Sequence, residues 1–208
     1  MAESGAAETQ PGRDRARGAA RGRGGVIVLS GPSGCGKTSV VAEILKDPRF
    51  ERSISATTRP PRPGEVDGRE YYFLDETEFR RRIAEHRFVE WAEVYGALYG
   101  TPREPLERAL AAGKGFVLNI DPQGAAKLRA AGWKGLYVFL LPPSLEVLEA
   151  RLRNRGTDDE AAISRRLARA RAEMGEAPNY DVTVVNDDIE RAADEIRRIA
   201  FERGAVEL

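Results

Sequence analysis

The stretch Gly31-Pro32-Ser33-Gly34-Cys35-Gly36-Lys37-Thr38 follows the apolar run Val26-Ile27-Val28-Leu29 and opens a helical pattern. A strand, a glycine-rich turn and a helix in that order form the setting of a phosphate-binding loop. Glycines at 31, 34 and 36 open backbone dihedrals closed to other residues, so successive N–H groups converge on one anion at the start of a helix dipole. Lys37 supplies a point charge for the terminal phosphates of a nucleoside triphosphate, and Thr38 places a hydroxyl where Mg²⁺ would sit. In such a site positioning and charge neutralisation carry most of the catalysis. A chance glycine-rich turn is the plain alternative, set against eight matched positions between strand and helix. The loop alone does not separate a kinase from a GTPase or an ATP-driven machine.

At 208 residues the chain suits one well-buried α/β core with a small inserted region. No apolar run approaches the length that crosses a bilayer. The single cysteine, Cys35, excludes an internal disulfide and suits a reducing cytoplasm; on the loop it reads as a small filler. Thirty-three basic and thirty-three acidic residues cancel, which argues against a nucleic-acid binder held by bulk charge. The charge is uneven, because five arginines in residues 1 to 24 face only Glu3, Glu8 and Asp14. That Arg/Gly-rich tail has no apolar periodicity and is expected to be disordered.

Beyond the loop, 37–46 is predicted helical with Val40, Val41, Ile44 and Leu45 at helical spacing, until Asp47-Pro48 stops it. Three prolines between Arg59 and Pro63 then exclude helix and leave Arg59 and Arg62 on a rigid turn suited to a phosphate. A short strand at 68–73, a helix from Asp75, and a strand at 88–95 with Glu90 and Ala92 on one face follow. A turn is expected over 96–100, then a helix over 103–112 ended by Gly113. His86, the only histidine, has no neighbours that make it a ligand or base. The α/β rhythm resumes with strands at 116–121, 136–141 and 182–185 and helices at 122–131, 144–154, 159–176 and 189–203. Strands apolar on both faces and alternating with helices indicate a parallel sheet covered on both sides.

Ligands in open α/β sheets bind at the carboxyl ends of the strands, where both the loop and Asp121 fall. Asp121 can reach Mg²⁺ through water or an acceptor bound opposite, with a helix cap as the plainer alternative. Arg151, Arg155 and Arg166 surround a glycine-containing break between helices, a setting for a movable lid that brings guanidinium charge to a transferring phosphoryl group. Arg169 and Arg171 are expected on a solvated helix face.

These residues carry a resemblance. The loop at 31–38, Ser55-Ala-Thr-Thr-Arg-Pro-Pro-Arg62, Gly64-Glu-Val-Asp-Gly-Arg-Glu-Tyr71, Phe88-Val-Glu90-Trp, Tyr99-Gly-Thr101, Ile120-Asp121-Pro-Gln-Gly124, Arg155-Gly-Thr and Val185-Asn-Asp-Asp188 together resemble the guanylate kinase family from about residue 25 to 205. The resemblance implies an α/β fold: a P-loop three-layer core with a parallel sheet (25–52 and 102–208), a small strand-rich GMP-binding insertion (about 53–101), and a helical lid (about 155–166). It implies that Arg59, Arg62, Tyr71 and Tyr99 hold the GMP phosphate and that Ser55, Glu90 and Thr101 read guanine, with Asp121 nearby. Arg155 and Arg166 would stand near the transferred group with Lys37, and Asn186 and Asp187 near the donor adenine. The implied reaction is ATP + GMP ⇌ ADP + GDP, with dGMP as a second acceptor and Mg²⁺ as cofactor; no membrane or specific nucleic-acid partner is implied. Two positions depart from the family's habit: Asn119 stands where an acid is frequent, and Thr101, which keeps the hydroxyl, where Ser is frequent. Two other readings are a non-catalytic guanylate-kinase-like module that binds phosphopeptides, and a P-loop kinase of a different small phosphorylated acceptor.

Overall fold

Alternate residues of the first strand feed two different cores, and the layering follows from that division. The computed structural model describes residues 24–94, 96–154 and 159–206. Strands β1 (Val26–Ser30), β2 (Phe50–Arg52), β7 (Gly115–Asn119), β8 (Leu136–Leu141) and β9 (Val182–Val185) form a sheet in the order β2-β7-β1-β8-β9, every pair parallel. On one face Ile27, Leu29, Val138 and Leu140 pack against Val40 and Ile44 of α1 (Lys37–Ile44) and Ala193 and Ile196 of α7 (Ile189–Glu202). On the other, Val26, Val28 and Leu118 meet Leu106 of α3 (Arg103–Ala111) and Leu128 of α4 (Pro122–Ala130). This is the predicted three-layer core, and each βα crossover delivers its loop to the same edge of the sheet.

A second sheet occupies the expected insertion. It consists of β3 (Ala56–Thr57), β4 (Tyr72–Phe73), β5 (Phe88–Val94) and β6 (Ala97–Pro102) in the order β4-β3-β6-β5. Helix α2 (Glu76–Ala84) is capped by Asp75, whose side chain accepts from the Glu78 N–H at 2.7 Å. It places Phe79 against Phe88, ring centroids 4.5 Å apart, in a small core of its own with Ala56 and Leu98.

The sequence reading changes at several elements: the strand expected at 68–73 is only β4 at Tyr72–Phe73, after a turn that begins at Gly68 with φ 76°. Residues 97–102 are not a turn but a strand paired antiparallel with β5, from Val94 opposite Ala97 to Phe88 opposite Pro102. Of the two glycines that suggested a turn, only Gly96, at φ 75°, makes one. Gly100 lies in the strand because a Cβ there would stand 3.0 Å from Phe79 and Phe88 ring atoms. Strand β2 has no sequence signal, since only Phe50 of its three residues is apolar; it joins through pairing with β7. The helix predicted to reach residue 176 is α6 (Glu160–Met174), followed by a single 3-10 turn at Ala177–Asn179.

Helix α5 (Leu145–Asn154) packs on α6 through Leu148, Leu152 and Ala170. Of the expected lid, residues 159–166 are described, and Arg155 lies outside the described residues, as does the tail through residue 23. Among the described residues no helix is long and apolar enough to cross a membrane.

Candidate active site

The phosphate loop is held from behind. Gly36, the N-cap of α1, has φ 98°, and a Cβ on it would lie 2.2 Å from the Asn186 amide nitrogen. That amide donates to the Cys35 carbonyl at 2.7 Å, and the Arg151 guanidinium donates to the same carbonyl at 3.1 Å and to the Asn186 carbonyl at 3.0 Å. The Cys35 carbonyl is thus fixed from behind, and the Cys35 N–H closes a turn onto the Pro32 carbonyl at 3.2 Å; together these hold the loop's shape. Asn186 is buried in this strut; Asp187 is exposed and pairs with Arg191. Arg151, placed beside the lid break by sequence, serves the loop's back from α5. Cys35 is fully buried, as a filler would be. The Lys37 ammonium donates to the carbonyls of Gly31 at 2.6 Å and Pro32 at 3.0 Å, so it is folded onto the loop that it serves.

Opposite the loop, across a cleft of about 720 Å³, stands the second sheet. The pairing of β5 slips between Phe88 and Glu90, and this irregularity lets three consecutive side chains be buried in different places. Phe88 enters the insertion's core, Val89 enters the main core, and Glu90 turns into the cleft with Ala92 and Val94. Glu90 is 9% exposed and accepts a hydrogen bond from the Thr101 hydroxyl at 2.7 Å. Burial pushes its carboxyl up to about 7; the Thr101 hydrogen bond opposes this and the charge of Asp121 adds to it.

Of the expected phosphate-side groups, Arg62, Tyr71 and Tyr99 line the same cleft, while Arg59 stands behind Tyr71 and is not part of the lining. Arg59 pairs with Glu65 at 2.9 Å and lies 5.5 Å from the Tyr71 ring centroid, and the Arg62 N–H donates to Glu65 at 2.7 Å. Glu65 thus orients both arginine positions. Burial would raise its carboxyl, but the Arg62 N–H and Arg59 outweigh it and hold the group below its ordinary value. Tyr71 and Tyr99 meet edge to face at 5.9 Å, and with Ser55 and Arg62 they line the cleft.

At the sheet edge between these two sides, Asp121 does cap α4: its Oδ1 accepts from the Gly124 N–H at 2.8 Å. Its Oδ2 is shielded from solvent and makes no hydrogen bond among the described residues; the Arg169 guanidinium approaches it at 3.5 Å. One oxygen of the carboxylate is therefore committed to the cap, and the other, shielded from solvent, faces Arg169. The solvated face expected for Arg169 is also corrected, since Arg169 and Glu173 both line the cleft. The signal was present in the sequence: Arg166, Arg169 and Glu173 recur at helical spacing on one face. His86 has a positive φ of 54° just past the end of α2, a chain-reversal position and no part of the cleft.

For a metal, the donor set is sparse. No group of three or more His, Cys, Asp or Glu among the described residues could hold one unaided. The exposed Thr38 hydroxyl in the first turn of α1 and Asn119 line the cleft. One hydroxyl beside a phosphate cradle fits Mg²⁺, which keeps its waters and binds largely through substrate phosphates.

Comparison with known proteins agrees with this geometry. A family model described as guanylate kinase matches residues 23–203. The guanylate kinase of Synechocystis sp. is 50% identical over 171 residues, covering 82% of this chain and 90% of that protein. The guanylate kinase of Thermobifida fusca is 48% identical over 195 residues, covering 93% of each. The crystal structure of guanylate kinase from Anaplasma phagocytophilum superposes with a TM-score of 0.72 at 35% identity, covering 88% of both chains. The loop, the second sheet facing it and the similarity along nearly the whole chain lead to one conclusion: this chain belongs to the guanylate kinase family.

Proposed function

We propose that the chain is an ATP:GMP phosphotransferase acting on GMP and dGMP, with the residue roles that follow. The observation that carries this reading is Glu90, buried in the cleft with one oxygen held by Thr101 and facing the phosphate loop. Guanine offers two adjacent donors, N1–H and the N2 amino group, which an ionised carboxylate can accept together; adenine presents an acceptor at N1 instead. The Ser55 hydroxyl supplies a donor for guanine O6, and the Thr101 hydroxyl, whose one proton goes to Glu90, acts on the base by holding that carboxylate. Arg59, Arg62, Tyr71 and Tyr99 take the acceptor phosphate.

Lys37 and the loop N–H groups hold the donor phosphates. A GMP phosphate oxygen attacks the γ-phosphorus, forming one O–P bond as the bond to the β–γ bridging oxygen breaks. The nucleophile is ionised already, so no general base is required, in keeping with a cleft that contains no histidine. Arg155 and Arg166 would meet the charge on the transferring group. Thr38 would hold Mg²⁺, which when bound neutralises charge on the donor phosphates; Asp121, committed to the α4 cap and facing Arg169, is at most an outer partner through water. Asn186 serves the donor site as the strut behind the loop.

The domain division fits the two separate cores: residues 25–52 and 102–208 for the central sheet, about 53–101 for the acceptor, about 155–166 for the lid. One cysteine and no membrane-crossing helix among the described residues are compatible with a cytoplasmic setting. The phosphopeptide-module reading is disfavoured because Lys37 and Thr38 are in place on an intact loop. A coupled phosphotransfer assay across GMP, dGMP, AMP, UMP, dTMP and a ribose bisphosphate tests the proposal. Turnover should concentrate on GMP and dGMP; preference for another acceptor would overturn it.

A further inference from the structure

Arg169 lines the cleft, and the reaction above does not use it. It reaches from α6 to the far side of the cleft, where its guanidinium stands 3.5 Å from Asp121 Oδ2. Its direction is set by Glu173, one turn further along α6, which accepts from the Arg169 Nε at 2.6 Å. Asp121 in turn stands beside the guanine-facing carboxylate. Gly124 lies between the two, and a Cβ at that position would fall 3.1 Å from Glu90 Oε2 and 3.3 Å from Asp121 Oδ1.

Two carboxylates in one water-poor corner repel each other, and the corner must still present acceptor oxygens to the donors of an incoming base. The nearby cation on the same side, Lys127, is tied to the Trp91 carbonyl at 3.0 Å and lies over the Trp91 ring, which turns away from the cleft. Arg169 is placed differently. It approaches the one Asp121 oxygen that the α4 cap leaves over, at ion-pair rather than hydrogen-bond distance, so it compensates the charge without consuming the acceptor.

We propose that Arg169 is a positioning residue for the acceptor base: a strut from α6 that holds the Asp121 carboxylate beside Glu90 and thereby sets GMP affinity, without serving the donor nucleotide. The inference rests on the reading of this cleft as the GMP site. It links the helix that carries Arg166 to the acceptor pocket through one charged contact. The donor loop lies on other elements, so the effect should be confined to one substrate.

The test uses the full chain and steady-state kinetics with GMP and ATP varied separately, for wild type, Arg169→Met, Arg169→Lys, Asp121→Asn and the double variant Asp121→Asn/Arg169→Met. Arg169→Met should raise KM for GMP about five- to tenfold, the scale of one charge-assisted contact, and leave KM for ATP within about twofold. Arg169→Lys, which keeps the charge, should recover much of that loss. The double variant should be no worse for GMP than Asp121→Asn alone, because the strut has nothing left to hold. An unchanged KM for GMP in Arg169→Met, an equal rise for both substrates, or additive losses in the double variant would each overturn the strut. If Arg169→Met does not fold, Arg169→Gln takes its place: a KM for GMP raised about five- to tenfold with KM for ATP within about twofold upholds the strut, and an unchanged KM for GMP or an equal rise for both substrates overturns it. Wild-type protein without turnover on GMP would instead remove the functional reading, and the strut with it.

Discussion

Glu90 is the residue at which stability and specificity oppose each other. Its carboxyl titrates near 7, and burial is the main cause. The folded chain therefore holds this proton more tightly than the unfolded chain, whose carboxyl has its ordinary value of 4.5. The resulting stabilisation is whole below the unfolded value and is lost as pH rises through about 7, a change on the order of 3 kcal/mol. Glu90→Gln removes a carboxyl that must ionise while buried, so its melting temperature relative to wild type should improve between about pH 4.5 and pH 7 and level off above that. A pH-independent difference would refute the buried titration. The same substitution should lower kcat/KM for GMP at least about tenfold, since a charged hydrogen bond contributes roughly 1.5 to 3 kcal/mol, and should narrow the preference for GMP over AMP. Wild-type KM for GMP should rise as pH falls below about 7, because the carboxyl must lose its proton to accept two donors; the glutamine variant should keep only the shallower rise that comes from protonation of the GMP phosphate at about pH 6. Lys37 makes a cleaner case, because its partners among the described residues are carbonyls and the sulfur of its own loop. Lys37→Ala should abolish turnover and leave GMP affinity, read by calorimetry, nearly intact; activity within a few-fold of wild type would remove the phosphate-loop reading.

Elements were legible in the sequence where one local signal decided them. The run from Leu136 to Leu141 and the capped helices behind Asp75, Asp159 and Asp188 lie where patterning and caps put them. Strand β2 was not legible, because a two-charge tripeptide becomes a strand only when β7 is already there to pair with it. The hairpin was misread because a glycine in a strand and a glycine in a turn look alike until the packing is known. Gly100 is bare to make room for Phe79 and Phe88, a reason set by residues twelve or more positions away. Site residues divide in the same way. Positions on the loop and in Pro-rich or alternating stretches stood out, whereas Arg169 was lost among arginines of similar spacing and Arg151 among those of the lid break. At this scale the packing argument gives its own prediction. Gly100→Ala should overpack the small core by about 1 to 3 kcal/mol and lower the melting temperature by about 3 to 10 °C. A melting temperature within 1 °C of wild type, read by scanning calorimetry, would mean that the two rings have room to give.

Across the whole molecule, the groups that must meet in the reaction sit on two bodies with separate hydrophobic cores. Lys37 and Thr38 ride on the central sheet, packed between its two helical layers. Arg59, Arg62, Tyr71, Glu90 and Tyr99 ride on the second sheet, whose core of Ala56, Phe79, Phe88 and Leu98 is its own. Such a body can swing about the point where β5 is anchored in the main core through Val89, with its own core moving as a unit. The charges give it a reason to move. Arg62 lines the cleft and Arg59 stands behind Tyr71, with a single carboxylate, Glu65, between them, so an acceptor phosphate adds attraction there, while the donor phosphates add it on the loop side. Each anion offsets the repulsion that would otherwise oppose bringing Lys37 and the acceptor arginines close, and closure excludes the water that would compete for the γ-phosphoryl group. Small-angle scattering on the full chain should therefore show a smaller radius of gyration with GMP plus a non-hydrolysable ATP analogue than without ligand. GMP alone should account for part of the change, because it touches the moving body. Residues 1 to 23 are present in every sample and cancel in the comparison. Superimposable profiles under saturating ligand would mean that the cleft reacts as it stands, and that transfer relies on a fixed distance across it.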